Sequence, residues 1–267
     1  MWLSSKVTGQ KRREALQAIA SGAPLAIGTH ALMQEGVDFE RLGLAIVDEQ
    51  HRFGVHQRLA LMDKASDETV HVHQLIMTAT PIPRTLQLSL SGVRDLSIIG
   101  TPPVDRLAIR TYVSEFDAIT VREALLREHY RGGQSFFVVP RISDLPDIEE
   151  FLREEVPEVK YVVAHGQMTP TMVEERMSAF YDRKYDVLLA TTIVESGLDI
   201  PRANTIIINR ADTFGMAQLY QLRGRVGRSN QQAYAYLVVP PLTMLSDVAK
   251  ERVETLARYT ELGSGFS

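Results

Sequence analysis

The feature that most constrains this chain is a set of short, uninterrupted apolar runs rich in β-branched residues, separated by stretches of helical period. Leu44-Ala45-Ile46-Val47 and Ile206-Ile207-Ile208 carry no polar residue at alternate positions. A strand with one wet face alternates, whereas a strand covered on both faces does not, so these runs predict parallel sheets wrapped by helices. Strands are predicted over 24–29, 43–48, 74–78, 134–139, 160–164, 186–190, 204–209 and 233–238. Helices are predicted over 10–21, 55–64, 119–131, 148–155, 171–181 and 247–262. Strand follows helix follows strand over most of the length, so the fold class is α/β.

A chain of 267 residues is long enough for about two domains. Thr101-Pro102-Pro103 is the best linker, because two prolines remove two backbone donors and force an extended path. It divides the chain into 1–103 and 104–267. Three predicted strands precede it and five follow, so the first domain is expected to have lost its beginning. The run Gly263-Ser264-Gly265-Phe266-Ser267 is expected to be an abrupt end. Cysteine is absent, which removes disulfides, thiolate zinc sites and cysteine nucleophiles and fits a cytoplasmic, reducing interior. No apolar run approaches the roughly 18 residues that span a bilayer, and the first residues do not read as a signal peptide. The net charge of −4 offers no global attraction for nucleic acid, so any such site must be a local groove.

Two segments carry chemistry. The apolar run ending in Asp48-Glu49 delivers two carboxylates to the carboxyl end of a strand, the edge where open α/β sheets bind ligands. A hard cation such as Mg²⁺ takes carboxylate and phosphate oxygens, so Asp48 is a candidate metal ligand and Glu49 a candidate to orient an attacking water. The same string also fits an ordinary solvated strand end. Near the other end, Arg223, Arg225 and Arg228 fall within six positions. On a helical turn Arg225 and Arg228, three apart, would project the same way, and guanidinium forks suit a transferring phosphoryl group. A solvated basic face, or a structural pair with Asp212 or Glu195, fits as well.

The strings around these residues resemble superfamily 2 helicases. Asp48-Glu49-Gln50-His51 is similar to their motif II, Gly28-Thr29-His30-Ala31-Leu32 to motif Ib, and Thr78-Ala79-Thr80-Pro81 to motif III. Thr191-Thr192-Ile193-Val194-Glu195-Ser196-Gly197-Leu198-Asp199 is similar to motif V, and Gln221-Leu222-Arg223-Gly224-Arg225-Val226-Gly227-Arg228 to motif VI. Up to about Arg84 the chain resembles the RecG branch-migration helicases, in Val47-Asp48-Glu49-Gln50-His51-Arg52-Phe53-Gly54 and His73-Gln74-Leu75-Ile76-Met77. From Ser91 onward it resembles the transcription-repair coupling factors, in Arg131-Gly132-Gly133-Gln134, His165-Gly166-Gln167-Met168 and Arg210-Ala211-Asp212-Thr213-Phe214-Gly215. One reading is a mosaic joined within 78–86, where both families agree; another is a relative that predates their divergence.

The resemblance implies two RecA-like domains, an ATP-dependent DNA helicase or translocase activity, and ATP with Mg²⁺ as cofactors. It implies catalytic roles for Asp48, Glu49, Arg225 and Arg228, with Asp48 holding Mg²⁺ through ATP. Gln50, His51, Gly197, Asp199 and Gln221 would complete the nucleotide site. Thr29, His30, Thr78, Thr80, His165, Gln167 and Thr192 would hold one DNA strand by its phosphates without reading bases, and Thr78, Thr80 and Thr192 would relay domain motion to it. Arg52 and Arg84 could bridge motifs II and III. The implied partners are DNA and, through domains outside this chain, RNA polymerase; no membrane contact is implied, and a monomer is expected.

The phosphate cradle of this superfamily is missing. No Gly-x-x-x-x-Gly-Lys-[Ser/Thr] string occurs, nor any Gly-Lys pair. Backbone N–H groups at a helix N-terminus plus one lysine supply most of the phosphate binding in such enzymes, so the chain alone is expected neither to bind nor to hydrolyse ATP appreciably. A non-catalytic DNA-binding module is the alternative, and an acid–base or metal hydrolase using Asp48, Glu49 and His51 is a third. His71-Val72-His73 has no third ligand nearby and does not read as a metal pair. Tyr220, Tyr234 and Tyr236 read as packing residues rather than base-stacking platforms.

Overall fold

A computed structural model of the chain describes residues 1–4, 7–48, 72–77, 97, 99, 107–192 and 200–258. The chain divides into two units, Met1–Ala79 and Thr80–Ser267. The expected linker at 101–103 and the expected helix at 55–64 lie outside the described residues.

The first unit contains β1 (Trp2–Leu3), α1 (Gly9–Ala20), β2 (Ile27–Gly28), β3 (Leu44–Val47) and β4 (His73–Ile76). β1 and β2 pair in parallel, with Trp2 opposite Ile27. Ala15 and Ile19 of α1, one helical turn apart, pack with Leu3, Ala31 and Val37. β3 and β4 form a second parallel pair, Leu44 opposite His73 and Val47 opposite Ile76. Here the expectation of two covered faces fails. Ala45 and Val47 pack with Val72, whereas Leu44 and Ile46 are 54% and 57% exposed, because no described element lies over their face.

The second unit runs β5 (Arg110–Ser114), α2 (Ala118–Tyr130), β6 (Gln134–Val138), α3 (Leu145–Glu155), β7 (Tyr161–Ala164), α4 (Pro170–Tyr181), β8 (Val187–Ala190), β9 (Ala203–Ile208), α5 (Met216–Arg223), β10 (Tyr234–Val238) and α6 (Asp247–Arg258). The strands form one sheet in the order β5-β10-β9-β6-β8-β7, and every pair is parallel. Successive residues of β6 face opposite ways, as the strand period requires. Phe136 and Val138 join a core closed by Phe180 of α4, Leu219 and Leu222 of α5, and Val253 and Leu256 of α6. Phe137 and Val139 join a second core closed by Val121 and Leu125 of α2 and Ile148 and Leu152 of α3. Both faces are covered, and β6, β8 and β9 are buried throughout, as the run Ile206-Ile207-Ile208 predicts for β9.

β1, β5 and α5 were not legible in the sequence. β5 is an edge strand whose residues alternate exposed and half-buried, and α5 is only eight residues long. The starts of the longer helices follow ordinary rules: Asp117 accepts from Thr120 N–H at the head of α2, and Thr169 accepts from Met172 N–H ahead of Pro170 in α4.

Candidate functional site

In the first unit the described candidates sit just past the carboxyl ends of strands. Thr29 and His30 follow β2 directly and are exposed. Thr29 N–H donates to Leu3 C=O at 3.2 Å, which fixes the loop, while its side chain makes no cap bond to the short 3₁₀ turn His30–Met33. Asp48 is the first residue beyond β3 and is exposed. The Met77 N–H bond to Val47 C=O, 2.8 Å, carries the pairing with β4 to the residue before it. Glu49, Gln50, His51, Arg52, Thr78, Thr80 and Arg84 lie outside the described residues.

In the second unit the candidates separate into two groups. β7 and β8 end in register, Ala164 opposite Ala190, so the residues that follow emerge side by side. His165, Gln167 and Thr192 therefore share the carboxyl edge of the sheet. Met168 N–H closes a turn on His165 C=O at 3.1 Å and leaves Gln167 exposed. Thr192 is half-buried beside Thr191, whose N–H reaches Ala164 C=O. Gly197 and Asp199 lie outside the described residues.

The arginine pair is elsewhere. After α5 the chain turns toward the amino ends of the strands: Gly227 lies against Ile109 and Ala233, the residues preceding β5 and β10. Ser229 donates to Asn204 Oδ1 near the start of β9. The helical turn assumed for the pair is broken, because Gly227 takes φ +74°, a conformation glycine adopts without strain. Arg225 is consequently buried while Arg228 is exposed, its Nε at 3.5 Å from Gly224 C=O. Gln221 is half-buried on α5. The carboxylate of Asp212 is gripped by Arg210, Nε and Nη2 each at 3.1 Å, and this pairing holds the Arg210 pKa above its usual value.

Arg223 is the residue whose role the sequence did not reveal. It is buried, donates to Leu256 C=O at the end of α6 at 2.9 Å, and lies over the Tyr220 ring at 4.9 Å. Burial lowers its pKa, an effect opposed by Tyr220. Its place in a basic cluster was visible, but the carbonyl that satisfies it lies 33 residues away. The tyrosines are engaged in packing: Tyr236 accepts from Arg127 at 2.6 Å and stacks on Tyr112, and Arg127 lies 4.0 Å over Tyr234.

Among the described residues no group of three or more His, Cys, Asp or Glu side chains could hold a metal ion. Nor is any described helix long and apolar enough to cross a membrane.

Residues 2–89 match the DEAD/DEAH box helicase model, and residues 118–230 match the helicase conserved C-terminal domain. With parallel sheets flanked by helices in the second unit and paired parallel strands in the first, the chain belongs to superfamily 2 of the helicases and translocases. Within it, the chain is similar to transcription-repair-coupling factors. It is 51% identical to that of Rickettsia typhi over 99% of this chain and 23% of the relative. It is 55% identical to that of Myxococcus xanthus over 96% and 21%, and 48% identical to that of Escherichia coli K12 over 97% and 22%. The chain thus spans less than a quarter of the length of these relatives. A structure of RecG bound to a three-way DNA junction matches with a TM-score of 0.79 at 36% identity, covering 99% of this chain and 35% of that one. Yeast Dbp5 bound to RNA and ADP BeF3 matches at a TM-score of 0.63 and 13% identity, over 97% of this chain and 67% of that one, a likeness of fold alone. The coupling factors align through the N-terminal third as well, so a join within 78–86 is not needed to explain the resemblance to them.

Proposed function

We propose that this chain supplies the hydrolytic carboxylates, the arginine pair and part of the strand-holding surface of an ATP-driven double-stranded DNA translocase acting in DNA repair. The observation that carries the proposal is Asp48 standing exposed at the carboxyl end of a parallel strand, within the segment matching the DEAD/DEAH box model. An exposed carboxylate at a strand end fits Mg²⁺ that is otherwise held by water and phosphate oxygens, since that ion seldom uses an all-protein cage. Bound Mg²⁺–ATP supplies a transferable phosphoryl group. Asp48 would hold the metal, Glu49 would orient the attacking water, and Arg225 and Arg228 would stabilise the transferring charge, each such arginine being worth about 10³–10⁵ in rate. Gln50, His51, Gly197, Asp199 and Gln221 would frame the nucleotide. Thr29, His30, Thr78, Thr80, His165, Gln167 and Thr192 would track DNA phosphates, and binding would weaken with salt.

A second reading is favoured by the absent Gly-x-x-x-x-Gly-Lys-[Ser/Thr] string. These 267 residues alone would then bind DNA and turn over negligible ATP. Joining the cradle-bearing segment of a coupling factor ahead of Met1 and measuring DNA-stimulated ATPase separates the two. Turnover that Glu49→Gln abolishes supports the motor, whereas DNA binding without turnover supports the module. The coupling-factor relatives also suggest RNA polymerase as a partner of the larger protein, through surfaces beyond this chain, with the chain itself acting as a monomer.

A further inference from the structure

β7 is an edge of the six-stranded sheet, and α3 and α4 diverge around it to leave a cavity of about 690 Å³. Its floor is the strand itself. Lys160 C=O accepts from Val187 N–H, and Ala164 C=O from Thr191 N–H, so the even-numbered residues face β8. The backbone groups of Tyr161 and Val163 therefore face outward, into the cavity. Val163 C=O is occupied by the Arg176 guanidinium at 2.5 Å. Nδ1 of His165 is buried in the wall and has no hydrogen-bond partner among the described residues. The apolar lining includes Leu145, Tyr161 and Val163, and the charged groups besides Arg176 are Glu149 on α3 and Glu175 on α4.

We propose that this groove takes an extended, basic segment of a partner protein, added as a further strand to β7. Outward-facing N–H and C=O groups between two helices are a template for strand addition, with main-chain bonds giving affinity and side-chain pockets giving specificity. The charge selects the partner. Among the described lining residues Glu149 and Glu175 outnumber Arg176, whose guanidinium is turned to a backbone carbonyl, so the net charge is negative and favours lysine and arginine. Consecutive residues of an added strand point to opposite faces. Two adjacent basic residues would therefore reach Glu149 on one side and Glu175 on the other. Arg176 is an edge guard in this scheme, covering the acceptor that an incoming N–H must reach.

The test uses the whole 267-residue chain and the acetylated, amidated peptide Ser-Val-Thr-Lys-Arg-Val-Thr-Val-Ser, titrated by calorimetry and by amide NMR. Binding is expected with shifts centred on Tyr161 and Val163, and replacing Lys-Arg by Glu-Glu in the peptide should abolish it. Glu149→Gln with Glu175→Gln should weaken binding about tenfold, the loss of two exposed ion pairs. Arg176→Met should strengthen it about fivefold by freeing the Val163 carbonyl. Thermal melts check that the variants remain folded. No binding, binding with shifts elsewhere, indifference to the carboxylates, or weaker binding in Arg176→Met would each overturn the proposal. So would dimerisation of the unliganded chain that the double variant disrupts, which would give the groove to a second copy.

Discussion

The two ends of the six-stranded sheet are built on opposite plans. At the amino edge, polar groups are buried and bonded to one another. Glu128 is fully buried, paired with Arg131 and accepting from Thr205 Oγ1 at 2.6 Å. Arg131 also donates to Gln232 C=O, and Gln134 donates to the carbonyls of Phe180 and Tyr185. At the carboxyl edge, Arg141 and Gln167 are exposed, and His165 and Thr192 are half-buried. Strand order also reverses there: the chain leaves β6 for β7 and β8 on one side, then returns to β9 and β10 on the other. A reversal of this kind opens a crevice where ligands bind in doubly wound sheets. One edge is fastened by internal pairing and the other is left able to pair with something else.

The largest effect should come from cutting the fastening. Glu128→Ala leaves Arg131 and Thr205 facing a buried gap, and loss of one member of a buried pair costs about 3–5 kcal/mol. For a unit of this size the melting temperature should fall by about 10 °C. Gly133→Ala tests the same knot from the backbone, since an added Cβ would lie 1.7 Å from Glu128 Oε1. Calorimetric melts of both variants are the measurement. A shift under about 2 °C for either would mean that the amino edge is not what holds this sheet together.

That knot also marks where sequence reasoning stopped. The alternation of apolar runs and helical periods carried the α/β fold, and the run Ile206-Ile207-Ile208 was read as covered on both faces, as it is in β9. The same rule misread β3, because apolar composition reports a preference for burial and not whether a neighbour is present to provide it. Arg131-Gly132-Gly133-Gln134 was visible only as a family string; its reasons, Gly132 at φ +75° and Gly133 yielding to the Glu128 carboxylate, depend on contacts with β9 and β10. Of the candidate site, Asp48 could be placed because a strand end is local. The relation between Arg225 and Arg228 could not, because it depends on one left-handed glycine within a basic run.

Substitutions at the open edge should be smaller in effect and opposite in kind. Gln167→Ala and Thr192→Val should change stability by no more than about 0.5 kcal/mol. If these side chains meet DNA phosphates, affinity should fall about threefold to tenfold. The log–log salt slope should stay the same, because neither group carries a charge to release counterions. Filter binding across a salt series reads both quantities. Unchanged affinity together with a clear loss of stability would make the carboxyl edge as structural as the amino edge.

The smallest effect belongs to a structural group that sits at the open edge. Asp117 follows β5 and caps α2, accepting from Thr120 N–H at 2.9 Å and from the Thr120 hydroxyl at 2.5 Å. These bonds, the hydroxyl's first, hold its pKa below the usual aspartate value. A carboxyl whose folded pKa is depressed stabilises the fold above its unfolded pKa, about 3.9, and loses that contribution as pH falls through the lower folded value. Asp117→Ala should therefore melt slightly below the parent at neutral pH, and the gap should close only in acid. Because Asp117 is exposed, added salt should reduce the charged part of the gap and leave the cap bond's share. A gap that is independent of pH would assign the whole effect to helix propensity. The cap would then say nothing about how the open edge holds its shape while its other polar groups stay available.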